Sequence, residues 1–569
     1  GLVGSSKWLW NARRRMNLPL PVARGRLAAA RRVLSFGMSD ALRTHNQVTG
    51  RTSLSPSFSF IPWIGLTLPL VLVAGCRSAP RATEVPPKPV VPLHWPTQPA
   101  PPLQGDNPEL WVSLAPHLPQ FRSGVPTDLL LRAAAGTLLL TTADGERWQG
   151  SAFPVRWSQE PLAQPLTIQR QVLGPFASHE SALQQAEAWQ QQGAEAVVAH
   201  PADWEVWAPL GSPDPGQPSR LVSETHTESW QPVLDRQGTP TVIQGPLQID
   251  APEGLRWGGA VYRGRFRLQR DAYGSWTLLQ QVPMESYLLG VVPHEIGAGS
   301  PLEALKAQTV LARTWAMANR GRFAVDGYHL CSDTQCQVYS DPSAAGGAVR
   351  QALASTAGQV LTWDGKALHG VYSASNGGVS SGLEEVWQAS AQPYLKPAVD
   401  GPAPLPQQFP LPIQGDGSVR SLLGNRNFYG AGHPRFRWTR RYSATRLEQL
   451  AAAAGSPIGG AEAVSVGGRG PSGRVLQLTV VGTDGRWVLE RDQIRRQLRA
   501  LPSTLFVVEQ ESPAVWLFDG GGFGHGAGLS QAGAIDLASR GWSSERILRH
   551  YFPGAELQPV KNLSSQVSP

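Results

Sequence analysis

Residues 282–322 read VPMESYLLGVVPHEIGAGSPLEALKAQTVLARTWAMANRGR and hold three carboxylates, Glu285, Glu295 and Glu303, only one of them without a local structural reason. Ser300-Pro301-Leu302-Glu303 sets an N-cap serine, a proline at the first helical position and a capping-box glutamate. A helix is therefore expected from Pro301 to about Arg320, stopping at Gly321. Glu285 falls in the first turn of a shorter helix opened by Pro283 and ending near Gly290, where a carboxylate suits the positive helix end. Glu295 lies in the connection between the two helices and is followed by Ile296. A carboxyl shielded by apolar neighbours can hold a raised pKa and act as a general acid, although an ordinary loop carboxylate fits the same residues.

Other candidate groups lie further along. Ser373, Ser375 and Asn376 precede Gly377-Gly378 and offer short hydrogen-bonding groups beside a backbone that a ligand could approach closely. No G-x-S-x-G elbow is present, which argues against a serine hydrolase. The run from Gly520 to Gly528 lacks the Gly-Lys-Ser/Thr of a phosphate loop, which argues against nucleotide binding. His525 and Gln531 are its polar side chains, and a turn packed beneath a sheet would account for them equally well.

The elements that must position these residues follow from composition and pattern. The 569 residues are 41% apolar and 16% charged, enough chain for two to four domains and too apolar for wholesale disorder. Sixty Gly and fifty Pro exclude a long helical bundle and favour short strands joined by turns. The net charge of +8 is misleading: residues 1–37 hold eight Lys or Arg and no acid, and residues 38–75 add +1, leaving −1 from Cys76 onward. That balance excludes nucleic acid as a partner.

Met16 and Met38 are both possible starts, so 1–37 reads as a leader that translation from Met38 would omit. Phe60 to Gly75 is an apolar run of 16 residues, right for the core of a signal peptide spanning 38–75. It ends in Leu72-Val73-Ala74-Gly75-Cys76, which resembles a bacterial lipobox with Cys76 as the lipidated residue. The expectation is an exported, lipid-anchored protein of the cell envelope, in the periplasm on the outer membrane, since Arg77 is not an inner-membrane retention signal. Residues 76–109, with ten prolines between Pro80 and Pro108, read as an extended tether. Only Cys331 and Cys336 then remain, an even pair in an oxidising compartment.

Residues 110–165 alternate as a small sheet would, 211–245 read as a loop, and strand signals return at 246–282. Residues 166–210 run strand, helix, Gly193 stop and strand. This outline resembles a SPOR-type module, which binds glycan strands; a plain α+β insertion fits as well.

The segment around Glu295 resembles the core of the SpoIID/LytB family, in which a Glu follows a Y-L-x-G-V-V signature and precedes P-x-E-A-L-K-A-Q-x-x-x-A-R-T. Here these are Tyr287-Leu288, Gly290-Val291-Val292, Glu295, Pro301, Glu303 to Gln308 and Ala312-Arg313-Thr314. CSDTQCQVYSD (331–341), HGVYSASNGG (369–378), GGGFGHGAGLSQAGA (520–534) and ILRHYFPG (547–554) follow in the family's order. The resemblance implies an α+β fold with a core in two parts, 246–400 and 511–560, interrupted by an insertion at 401–510. It implies a lytic transglycosylase cleaving the β-1,4 bond between N-acetylmuramic acid and N-acetylglucosamine in denuded peptidoglycan strands, leaving 1,6-anhydro ends. Glu295 would be the single acid and base, with no cofactor required. Gln308 and Arg313, on the helix behind it, become candidates to orient sugar or Glu295, with a structural ion pair as the alternative. Ser373, Ser375, His525 and Gln531 become groove walls facing the glycan. Some relatives hold zinc through two Cys and two His. This chain has Gln335 where one His is expected but retains His329, so zinc on Cys331, Cys336 and His329 stands beside a Cys331–Cys336 disulfide. The alternative function is a non-catalytic wall-binding enhancer of a cell-wall amidase.

Overall fold

The computed structural model describes residues 91–236 and 238–563. It is 24% helix and 38% strand, and the mixture of antiparallel sheets with separate helices makes it α+β. The central sheet has seven strands in the order Leu330–Cys331, Glu109–Leu118, Trp276–Pro283, Ala260–Arg270, Leu247–Trp257, Leu138–Thr141, Arg147–Gly150. All neighbours are antiparallel except the first pair, where Val112 sits opposite Leu330 in parallel.

Alternation along its strands assigns each face to a different core. Leu110, Val112 and Leu278 enter the main hydrophobic core, while Trp111 and Leu279 join Trp189 and Trp204 on the opposite face. Against the main-core face pack helix α2 (Met284–Val292) and helix α3 (Leu302–Ala318). Ala304, Ala307, Ala312 and Ala316 are buried on α3, and such small residues let neighbouring elements come close.

The opposite face receives helix α1 (His179–Gln191), which buries Ala182, Ala186 and Trp189. This helix belongs to a sheet ordered Thr239–Val242, Arg220–Arg236, Ala152–Phe176, Trp204–Ala208, Val197–Ala199. The expected 166–210 module is thus the middle of a larger sheet, and the expected loop at 211–245 is mostly strand. Arg220–Arg236 pairs with Ala152–Phe176 from Arg220 opposite Val172 to Val233 opposite Arg156. Its first half is exposed or half-buried, so no apolar alternation marks it; backbone pairing makes the strand.

The expected tether is also corrected in its described part. Trp95 is buried, its N–H donates to the Ala272 carbonyl, and the Arg270 guanidinium lies over its ring. Thr97 donates to the Val325 carbonyl. Residues 91–108 therefore lie along the body of the protein.

The interruption of the core is a subdomain with its own apolar centre, including Trp438, Leu447, Val480, Phe506 and Phe518. Arg437–Ser443 pairs with Val515–Gly521, which pairs with Phe506–Ser512, so this sheet runs past residue 510 into the Gly-rich motif. The chain then returns through helices Gln531–Ser539 and Ser544–Tyr551, and Glu556–Pro559 pairs with Gln359–Trp363.

Candidate active site

Glu295 sits in a π-helical turn, Pro293–Gly297, between α2 and α3. Such wide turns interrupt regular helix and recur where a side chain must be re-aimed. The expected capping box is absent: Ser300 Oγ donates to the Ile296 carbonyl at 2.8 Å, steadying the turn. Glu303 instead pairs with Lys306 and accepts the Ser544 N–H at 2.7 Å, tying α3 to the first turn of the last helix.

One oxygen of the Glu295 carboxyl accepts the Val338 N–H at 2.7 Å, and the Tyr372 hydroxyl is within hydrogen-bonding contact of the group. Burial outweighs both bonds and pushes the carboxyl up to about 7. A carboxyl near neutrality can give a proton and take one back at physiological pH.

Val338 belongs to the 331–341 loop, and the positioning of Glu295 is a property of that loop. Cys331 and Cys336 are joined by a disulfide. Tyr339 donates to Gln280 of the central sheet at 2.8 Å. The Gln337 amide donates to the Tyr287 hydroxyl and the Ala312 carbonyl, and its oxygen accepts the Tyr372 hydroxyl at 2.8 Å. Gly290 supplies the space: a Cβ there would lie 2.6 Å from the Ser340 carbonyl oxygen and collide with the Tyr339 ring.

For zinc the residues do not fit. Both sulfurs are committed to the disulfide, and His329 accepts the Trp111 N–H with one ring nitrogen while the other meets the Pro101 carbonyl. Among the described residues no group of three or more His, Cys, Asp or Glu could hold a metal ion.

Glu295 opens onto a cleft of about 640 Å³ whose walls include Trp315, Trp387 and Phe523. Ser373, His525 and Gln531 also line it. Ser373 Oγ is buried without a partner. His525 presents its ring beside Trp387, with centroids 4.9 Å apart. Its Nδ1 accepts the Ala527 N–H and the other nitrogen meets the Tyr372 carbonyl; burial above all, and then nearby Arg495, pushes it down to about 3. It is a neutral ring holding the Gly-rich loop to the Tyr372 strand, with no nitrogen left for a sugar. Gln531 donates to the Gln308 oxygen, and Gln308 is fully buried with its amide nitrogen unpartnered among the described residues. Gln308 therefore acts behind the cleft wall.

Two further expected contacts are corrected. Arg313 is fully buried, forms a bidentate pair with Glu285 at 2.7 Å and donates to the Gln359 carbonyl. It locks α2 to α3 and does not line the cleft. Ser375 is buried in a backbone bridge with Phe523, and its hydroxyl accepts the Gly377 N–H.

Several residues that build the site carry no mark of their role in the sequence. Tyr287, Gln337 and Tyr372 stood inside the motifs, and their chemistry emerges only from contacts between motifs. The cleft also takes residues from outside the core: Ser178 and Glu180 from the start of α1, and Arg491, Asp492, Arg495 and Arg496 from the inserted subdomain. Both other lining carboxylates are engaged. Burial alone would raise Glu180, but Arg322 and His179 bring it to about 2. Asp492 accepts the hydroxyls of Ser178 and Ser181.

Comparisons with known proteins agree with the motifs. Residues 272–363 match the family model described as stage II sporulation protein, and residues 381–528 match a domain of unknown function (DUF8618). An uncharacterised protein of Brachyspira hyodysenteriae is 25% identical over 364 residues, covering 62% of this chain and 88% of its own length. Stage II sporulation protein D of Bacillus subtilis is 27% identical over 295 residues, 49% of this chain and 75% of that one. The amidase enhancer of the same organism is 28% identical over 295 residues, 48% of this chain and 40% of its own.

Proposed function

The chain belongs to the SpoIID/LytB family and has a cell-wall related role, and from that premise we propose that it is a lytic transglycosylase of peptidoglycan strands. The observation that carries the reading is the Glu295 carboxyl, poised near pH 7 between Val338 N–H and Tyr372 at an open cleft.

A glycosidase that hydrolyses uses two carboxylates, one to protonate the leaving oxygen and one to act as nucleophile or activate water. In a transglycosylase one carboxyl can serve in both roles. Protonated Glu295 gives its proton to the glycosidic oxygen as the bond from the muramic C1 breaks, and charge develops on the ring. The resulting carboxylate takes the proton of the same residue's 6-hydroxyl as that oxygen bonds to C1. The proton count on Glu295 is restored, no water is consumed and a 1,6-anhydro ring closes. The Val338 N–H stabilises the carboxylate formed midway, and Trp315, Trp387 and Phe523 offer apolar faces to sugar rings. The test is incubation with glycan strands stripped of stem peptides: anhydro ends from the unaltered protein and none from Glu295→Gln support the proposal.

The likeness to a protein named amidase enhancer favours one second reading, a non-catalytic glycan-binding partner of a cell-wall amidase. Strands that co-sediment with the protein yet stay intact would support it. Export and lipid anchoring at Cys76 belong to the same proposal; Cys76 lies outside the described residues, and loss of membrane association in Cys76→Ser tests the anchor.

A further inference from the structure

One wall of the cleft is foreign to the stretch that matches the stage II sporulation protein model. Arg491, Asp492, Arg495 and Arg496, on and beside the short helix Asp492–Gln497, come from the stretch matching the domain of unknown function. Four arginines line the cleft against three carboxyl groups. Three of the four are engaged: Arg322 pairs with Glu180, Arg496 pairs with Asp203, and Arg491 donates to the Glu384 carbonyl at 2.8 Å. Arg495 is different. Among the described residues it forms no salt bridge, and its Nε, like that of Arg322, is buried with no acceptor. Asp492, on the same short helix, attracts it from beyond ion-pair distance but accepts two serine hydroxyls, and His525 is held neutral. A guanidinium that lines a cleft with no carboxylate in direct contact marks a place for an anion, and its planar fork of donors matches a carboxylate.

We propose that Arg495 is a specificity-determining residue that binds the lactyl carboxylate of a muramic residue, so that the inserted subdomain selects strands without stem peptides. This rests on the glycan-strand reading of the site. The chemistry of selection is direct: the lactyl group is an anion when free and a neutral amide when it carries a peptide. An arginine placed for the anion loses its charge-assisted pair against the amide and meets a bulky chain instead.

The experiment measures binding by the full chain carrying Glu295→Gln, which removes turnover. The probes are stripped strands and the same strands with their carboxylates converted to methylamides. The proposal expects amidation to weaken binding at least tenfold. Adding Arg495→Gln should weaken binding to the free carboxylate by a similar factor while leaving binding to the methylamide unchanged, and Arg495→Lys should restore part of the difference. Equal binding of both strands by the Arg495 protein, or binding of neither, overturns the proposal, and that comparison needs no change at Arg495. Discrimination that survives Arg495→Gln overturns it too. Anhydro ends from the protein with Glu295 intact are read separately, so a chain that cleaves both strands alike keeps the transglycosylase and loses this selectivity.

Discussion

At the scale of single residues, Glu295 stands apart from Glu285 and Glu303 because among the described residues it is in no ion pair and burial raises it. Burial raises it from the ordinary 4.5 to about 7, so between those values the folded chain holds a proton that the unfolded chain has released. Stability from this site is complete below about pH 4.5 and is lost as pH rises through 7. Glu295→Gln, which cannot ionise, should therefore raise the unfolding free energy at pH 8 by on the order of 1–3 kcal/mol, and little at pH 4; urea unfolding at the two pH values checks this. The same protonation sets the rate: kcat/KM should fall with a slope of −1 above about pH 7, and a profile flat to pH 9 would contradict the acid role. Tyr372→Phe removes the hydroxyl that touches Glu295 and holds Gln337, the residue before Val338, with an expected loss of about 10–100-fold in kcat and little change in KM. Glu295 was legible in the sequence because the two neighbouring glutamates had local reasons and it had none. The function of Tyr372 was not, because its hydroxyl meets Glu295 and Gln337 across three separate motifs.

At the scale of elements, helix spans followed from local signals and polar partners did not. Pro283 and Pro301 announced α2 and α3 to within a residue or two of Met284–Val292 and Leu302–Ala318. Yet Ser300 turned back to Ile296, and Glu303 reached Ser544 in a remote part of the chain. Arg220–Arg236 escaped notice for a related reason: its long partner Ala152–Phe176 supplies the backbone bonds, and neither strand needs an apolar stripe in its exposed half. The 331–341 loop is the element on which Glu295 depends most. A disulfide closing so short a loop is worth roughly 2 kcal/mol by loop entropy. Opening it with Cys331→Ser and Cys336→Ser should lower kcat more than it lowers thermal stability, since Val338 N–H is released from Glu295. Gly290→Ala drives a methyl into Tyr339 and Ser340, with an expected cost of about 1–3 kcal/mol seen in urea unfolding and a matching loss of activity.

At the scale of the whole molecule, the cleft is a joint product of three regions that the sequence presents far apart. The start of α1, the family core and the inserted subdomain each line it. Arg474 of the insertion is fully buried and donates to the Val379 and Asn376 carbonyls. The Gly-rich loop closes over that guanidinium at Gly526, where φ is +82° and a Cβ would strike it. The insertion was legible as an interruption, but its true extent was not, because Arg437–Ser443 pairs with Val515–Gly521 across more than seventy residues. For the proline-rich stretch composition alone suggests a spacer, whereas Trp95 fixes its described part to the body. A chain beginning at Asp106 should therefore lose the burial of Trp95, about 2–3 kcal/mol, and unfold several degrees below one beginning at Val91. Equal melting temperatures would contradict the docked segment.

The most direct test of a single carboxyl serving as acid and base is the origin of the oxygen in the product. Stripped glycan strands are digested in oxygen-18 water and the new ends weighed by mass spectrometry. The account predicts 1,6-anhydro ends with no solvent oxygen, formed by the unaltered protein and absent with Glu295→Gln. Reducing ends that carry the heavy isotope, or cleavage undiminished in Glu295→Gln, would contradict it.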